Sequence, residues 1–239
     1  MTGHLYGVGL GPGDPELLTL KAARILDAVP VVAHFAKRGH ASNGRAIIAG
    51  RLRPDVIELP LLYPITTEIA RSQAGYRTAL DDFHDESAAC IAAHLEAGRD
   101  VAVVSEGDPM FYGSYMHLHI RLAHRFPTEV VPGISAMAGA WSLAGVPIAQ
   151  GDDVLTVLPG TLDEAVLTDR LRGSEAVVIM KVGRNLPRIR AALAAAGRLD
   201  AAIYAERVGT ALQCVQRLCE RGAEPAPYFS IVLVPGWMR

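Results

Sequence analysis

Short apolar runs alternate along the chain with stretches whose apolar residues recur at helical spacing. Leu5 to Leu10, Val29 to Phe35, Val56 to Leu59, Val101 to Val104 and Val130 to Val131 read as strands. Between the first two, Leu17, Leu18, Leu20, Ala23, Ile25 and Leu26 fall at helical spacing. Asp14 is expected as the N-cap of that helix and Pro15 as its first residue, where a missing N–H costs nothing. Tyr76 to Leu95 reads as a second long helix, with Leu80, Phe83, Ser87, Cys90, Ile91 and His94 along one side. This alternation predicts an α/β fold around a mostly parallel sheet.

After Val146-Pro147 the pattern changes. Leu155 to Leu158, Ala176 to Val182, Ala202 to Glu206, Gln213 to Leu218 and Tyr228 to Val234 read as strands, the last ones close enough together for antiparallel pairing. Two α/β domains are therefore expected, residues 1–145 with the mostly parallel sheet and residues 146–239 with a smaller mixed sheet.

Composition narrows the class without naming it. Of 239 residues, 50% are hydrophobic and 20% charged, as in a globular chain able to bury a core in each half. The formal net charge of -2 lacks the basic excess of a nucleic-acid surface. No apolar stretch approaches the roughly 18 residues of a membrane span, and the start goes into a strand without a secretory leader pattern. Cys90, Cys214 and Cys219 have neither zinc nor redox spacing. The expectation is a cytoplasmic chain with reduced thiols and no nucleic-acid, membrane or metal partner.

Candidate chemistry lies at strand ends, where open parallel sheets bind small ligands. Gly7-Val8-Gly9-Leu10-Gly11-Pro12-Gly13-Asp14-Pro15 follows the first strand, and a second Gly-Asp-Pro recurs at Gly107-Asp108-Pro109 after the fourth. The first run departs from the dinucleotide fingerprint, and Pro12 removes an amide that a phosphate cradle would use. A purely structural turn is the alternative. In the second loop, Glu106 and Asp108 flank a glycine and precede Phe111-Tyr112, which suits a cationic or hydroxyl-rich ligand with a ring. Val131-Pro132-Gly133-Ile134-Ser135-Ala136 repeats the strand, glycine, helix order, and Ser135 reads as a hydrogen-bonding helix start rather than a nucleophile. His117 and His119 point to nearly opposite sides of one helix and do not share a metal. His117, Arg121 and His124, with the adjacent Arg125, form either a solvated basic side or an anion-binding wall. Lys37-Arg38-Gly39-His40 is a second basic stretch suited to carboxylates. No zinc protease motif, closed zinc constellation or Ser-His-Asp order is present, which favours chemistry that needs no protein-derived nucleophile.

Taken in order, Leu5 to Ala22, Glu106-Gly107-Asp108-Pro109, Val131 to Ala136, Met180 to Arg184, Glu206 to Thr210 and Tyr228 to Val232 resemble the tetrapyrrole methyltransferases. This family uses S-adenosylmethionine on a fold distinct from the usual methyltransferase Rossmann domain. Gly151 to Gly160, Met180 to Leu186 and Ala33 to Gly39 look like the branch that methylates an early reduced intermediate of cobalamin synthesis. Phe111-Tyr112-Gly113-Ser114 points to the metal-free, aerobic substrate. The cobalt-loaded substrate and a protein-modifying relative are the alternatives.

The resemblance implies a homodimer of two α/β domains, with S-adenosylmethionine in the cleft between them and a tetrapyrrole as second substrate. It implies Pro12 beside the donor, Glu106, Gly107 and Asp108 on its methionine or ribose part, and Phe111 and Tyr112 packed nearby. Ser135 and Ala136 would contact the methionine end, while Lys181, Val182, Gly209, Thr210 and Ala211 flank the adenine. Family members often carry glycine where this chain has Glu106. Glu106, Tyr112 or a water would accept the proton released by the substrate carbon, and Lys37, Arg38, His117 and Arg121 would meet its carboxylate arms.

Overall fold

Parallel strands buried on both faces need apolar residues along their length, and the strand Val101–Ser105 meets that demand from Val101 to Val104 before closing on buried Ser105. In the computed structural model, which describes residues 1–64, 75–222 and 224–237, it is the central strand of a five-stranded parallel sheet. In chain order the first unit contains β1 (Leu5–Gly9), α1 (Leu20–Ala28), β2 (Val31–Lys37), α2 (Asn43–Ile47) and β3 (Ile57–Tyr63). It continues with α3 (Tyr76–Glu96), β4 (Val101–Ser105), α4 (Tyr115–Leu122) and β5 (Thr128–Val131). The strand order is β3-β2-β4-β1-β5. Val101 and Val103 face Phe83, Ile91 and Leu95 of α3 and Leu118 and Leu122 of α4. Ala102 and Val104 face the opposite way, toward Ala22, Ile25 and Leu26 of α1. The α3 stripe is offset from the expected one: Phe83, His84, Ser87, Ala88, Ile91, Ala92 and Leu95 are buried, and Cys90 is exposed.

Among the boundaries that differ from the sequence reading, two do so for clear local reasons. Asp14 caps only the 3₁₀ turn Pro15–Leu17, where its Oδ1 accepts the Glu16 amide at 2.9 Å. Leu18 is extended, and α1 starts anew at Leu20 under Thr19, whose Oγ1 accepts the Ala22 amide at 3.1 Å. β3 runs on through Pro60, which a strand tolerates because β3 is an edge.

The second unit contains α5 (Ala136–Ala144), β6 (Leu155–Pro159), α6 (Glu164–Arg172), β7 (Ala176–Met180), α7 (Leu186–Ala195), β8 (Ile203–Glu206), β9 (Cys214–Arg217) and β10 (Ser230–Val234). Its sheet has the order β6-β7-β10-β8-β9, parallel between β6 and β7 and antiparallel elsewhere, so the expected mixed sheet is present. By compactness the chain divides into Met1–Ser135 and Ala136–Arg239. That division and the expected boundary near residue 146 lie on either side of α5. The helix goes with the second unit because Ala140 packs with Val178, Ala205, Ile231 and Leu233. No helix among the described residues is long and apolar enough to cross a membrane.

Register positions the functional end of the first unit. Gly9 of β1 lies opposite Ser105 of β4, and Val8 lies opposite Val131 of β5, so three neighbouring strands finish side by side. The chain leaves them at close quarters only because two residues there lack side chains. A Cβ on Gly9 would lie 2.4 Å from the Gly133 nitrogen, and a Cβ on Gly133 would lie 2.1 Å from the Gly107 oxygen.

Backbone atoms cannot swing aside as a side chain would. Gly133→Ala is therefore expected to lower the stability of the first unit by about 2–3 kcal/mol. Gly50→Ala, at an exposed site with nothing within 4 Å of an added Cβ, should stay within about 0.5 kcal/mol of the parent. Urea unfolding of the two variants checks this, and equal midpoints would contradict the close approach.

Candidate active site

Three loops leave the aligned ends of β1, β4 and β5, and backbone hydrogen bonds join them. The Gly107 amide donates to the Gly11 carbonyl at 2.7 Å and the Gly11 amide donates back at 3.3 Å, a reciprocal bridge between the two glycine loops. One residue earlier, the Leu10 amide donates to the Ser105 carbonyl at 2.9 Å. Asp108 ties in the third loop: its Oδ2 accepts the Gly133 amide at 3.2 Å while Oδ1 accepts the Met110 amide at 2.9 Å. The two Gly-Asp-Pro copies thus do different work. Asp14 caps a local turn, whereas Asp108 stitches residues 25 apart in the chain.

Pro12, Glu106, Gly107, Asp108, Phe111, Tyr112 and Ser135 all belong to these three loops, and Ala136 begins α5 directly after them. Phe111 and Tyr112 meet edge to face with ring centroids 4.9 Å apart. Tyr112 is 43% exposed and holds a left-handed backbone, with φ of 56°, a conformation that costs a bulky residue energy and tends to occur at functional loops. The Glu106 carboxylate turns toward α2, where Oε1 accepts the Gly44 amide at 2.8 Å. Burial raises its pKa, opposed by its own amide and that of Gly44, which stabilise the charged form.

The expected cations lie on two elements. Lys37 ends β2, and Arg38 is exposed in the turn after it, closed by the His40 amide on the Lys37 carbonyl at 2.9 Å. His117 and Arg121 lie on α4, and Arg121 is already engaged by acids of α3, Asp85 at 2.5 Å and Asp81 at 3.8 Å. Neither reading of that face foresaw this pairing, because nothing local to α4 announces the carboxylates of α3. His117 stacks on buried His84 with centroids 4.1 Å apart, while His119 turns to the Tyr115 hydroxyl at 3.2 Å. Burial, then the charges of His117 and Arg121, push the His84 pKa down from 6.5 to about 4, outweighing Asp81 and Asp85.

In the second unit, β7 and β8 are each antiparallel to β10 between them, so Met180 and Glu206 end at the same edge of that sheet. Lys181 and Val182 follow the first of these strands and Gly209 to Ala211 the second. Lys181 has φ of 57° and its carbonyl accepts from Asn185 Nδ2 at 2.9 Å. The later stretch is held by the Gly209 amide on Gln213 Oε1 at 3.1 Å and by Thr210 Oγ1 on the Arg207 carbonyl at 2.8 Å.

The family model of tetrapyrrole (corrin/porphyrin) methylases matches residues 4–219. The chain belongs to the tetrapyrrole methylase family. It is accordingly a methyltransferase, with the two sheets of that family. The chain is 62% identical to a precorrin-2 C(20)-methyltransferase from Sinorhizobium sp over 98% of its own length and 96% of that protein's. It is 32% identical to the cobalt-precorrin-2 C(20)-methyltransferase of Salmonella typhimurium, over 98% of this chain and 97% of the relative. A crystal structure of uroporphyrin-III C-methyltransferase from Thermus thermophilus, complexed with S-adenyl homocysteine, is similar with a TM-score of 0.65 and 26% identity, covering 97% of each chain.

His84 gives this methylase a pH signature. Its Nδ1 is buried and has no hydrogen-bond partner among the described residues, so the folded state keeps the ring neutral while the unfolded chain takes up a proton. Stability is expected to fall as pH drops from 6.5 toward about 4, the window set by the two pKa values. His84→Phe, folded at neutral pH, should lose less stability than the parent over that window in denaturant titrations. An identical slope would show that other groups carry the dependence.

Proposed function

We propose that this chain transfers a methyl group from S-adenosylmethionine to carbon 20 of precorrin-2, giving precorrin-3A, in the aerobic synthesis of cobalamin. The observation that carries this is the 62% identity to a precorrin-2 C(20)-methyltransferase along nearly the whole of both chains, against 32% for the relative that acts on the cobalt-loaded substrate. The joined loops support the same reading from chemistry. Asp108 and Glu106 suit a ligand that is cationic at sulfur and at its amino group, and the three loops hold no cationic residue.

When bound, S-adenosylmethionine supplies an electrophilic methyl carbon on a sulfonium. The chain's own task is alignment, worth up to roughly 7–11 kcal/mol when reacting atoms are well oriented. Pro12, Gly107, Asp108, Ser135 and Ala136 are assigned to hold the methionine and ribose parts, with Phe111 and Tyr112 packed beside them. Lys181, Val182, Gly209, Thr210 and Ala211 are assigned to the adenine on the family resemblance. The substrate carbon would bond to that methyl as the methyl–sulfur bond breaks, the electron pair staying on sulfur in S-adenosylhomocysteine, and would afterwards lose its proton. Glu106, whose pKa is raised, and Tyr112, on its exposed loop, are the side chains assigned to receive it, directly or through a water. Lys37, Arg38, His117 and Arg121 are assigned to the carboxylate arms of the tetrapyrrole. We place the enzyme in the cytoplasm as a homodimer, independent of nucleic acid, membrane and bound metal.

Incubation with precorrin-2 and a carbon-13-labelled methyl donor should yield one new methyl, located at carbon 20 by nuclear magnetic resonance. Methylation elsewhere, or turnover of the cobalt-loaded substrate alone, would overturn the reading. Asp108→Ala should weaken S-adenosylhomocysteine binding by about 1–3 kcal/mol in calorimetry. Unchanged affinity in the folded variant would remove Asp108 from the donor site.

A further inference from the structure

Glu106 sits in the donor loop, yet its carboxylate reaches the helix that follows a different strand. Its position is tightly set: Ser105 before it is buried at the end of β4, and Gly107 after it makes both bonds of the bridge to Gly11. From there Oε1 accepts the Gly44 amide at 2.8 Å, across 62 residues of sequence. Gly44 is buried, and the space where its Cβ would stand is bordered by Glu106 Oε1 at 3.5 Å and Leu10 Cδ1 at 3.7 Å. The next residue, Arg45, is held from the other side by Glu58 of β3, with Nε to Oε2 at 2.9 Å and a second nitrogen to Oε1 at 3.0 Å. β3 and β4 are the two neighbours of β2 in the sheet. Acids from both flanking strand systems therefore clamp α2, and the short turn from Lys37 to Ser42 is fixed at its far end.

We propose that Glu106 is a positioning residue: through the Gly44 amide it fixes the Lys37-Arg38 turn relative to the donor loop, and so sets how tightly the tetrapyrrole carboxylates are held. This rests on the reading of that turn as a substrate contact. A role as proton acceptor is separable, because the tie acts on substrate affinity and proton transfer acts on turnover.

Two variants read the tie. In Glu106→Ala the KM for precorrin-2 should rise about tenfold or more, the loss expected when a charge-assisted bond to a buried amide is removed. The Gly44 amide should also exchange with deuterium faster. Glu106→Gln, whose side-chain oxygen still accepts from Gly44, should keep KM within about threefold of the parent. Equal falls in kcat in both variants with KM unchanged would overturn the proposal in favour of proton transfer, as would unchanged Gly44 exchange in Glu106→Ala. A Lys37→Ala/Arg38→Ala variant with unaltered KM would instead overturn the substrate reading of the turn.

Discussion

Three strand ends can touch only where side chains are missing, and that steric constraint governs the first unit of this methylase. With hydrogen in place of Cβ at Gly9 and Gly133, the backbone of one loop lies against the carbonyl of another. The contact lets the Gly11–Gly107 bridge close and brings the Gly133 amide within reach of Asp108. Loops that would otherwise move independently become one surface of amides and carbonyls, tied together by the Asp108 carboxylate. A surface of that kind favours a cation and disfavours phosphate, which agrees with the departure of the first glycine run from phosphate-binding spacing.

The same economy explains how the site can work without a nucleophile of its own. In a displacement at carbon the reactive groups belong to the two substrates, so the protein acts through orientation and through where it puts charge. Glu106 illustrates the balance: burial disfavours its charge, and two backbone amides favour it. Arg121 shows the opposite case, a cation already compensated by Asp85 and Asp81. Any carboxylate of the substrate reaching Arg121 must compete with them, whereas the turn carrying Arg38 extends into solvent.

Much of this was legible in the sequence because the signals are local. Apolar runs marked the strands, their spacing separated a parallel half from a mixed one, and the repeated Gly-Asp-Pro marked the loops. What escaped was tertiary. Asp14 and Asp108 sit in the same tripeptide, but only the fold decides that one caps a turn and the other binds Gly133. Thr19 displaced Asp14 as the cap of α1 because Leu18 turned extended, a choice no spacing rule distinguishes. Gly44 carries no motif, and its bond to Glu106 depends on β2 and β4 being neighbours. The helix α5 reads as apolar from either side of a domain boundary, and its partners Val178 and Leu233 lie far along the chain.

Amide hydrogen exchange, with and without S-adenosylhomocysteine, tests most directly whether the joined glycine loops are the donor's cradle. Ligand-dependent slowing is expected at Gly11, Gly107 and Gly133, the amides that join the loops. Unchanged exchange at all three in a saturated sample, with protection confined to other parts of the chain, would contradict it.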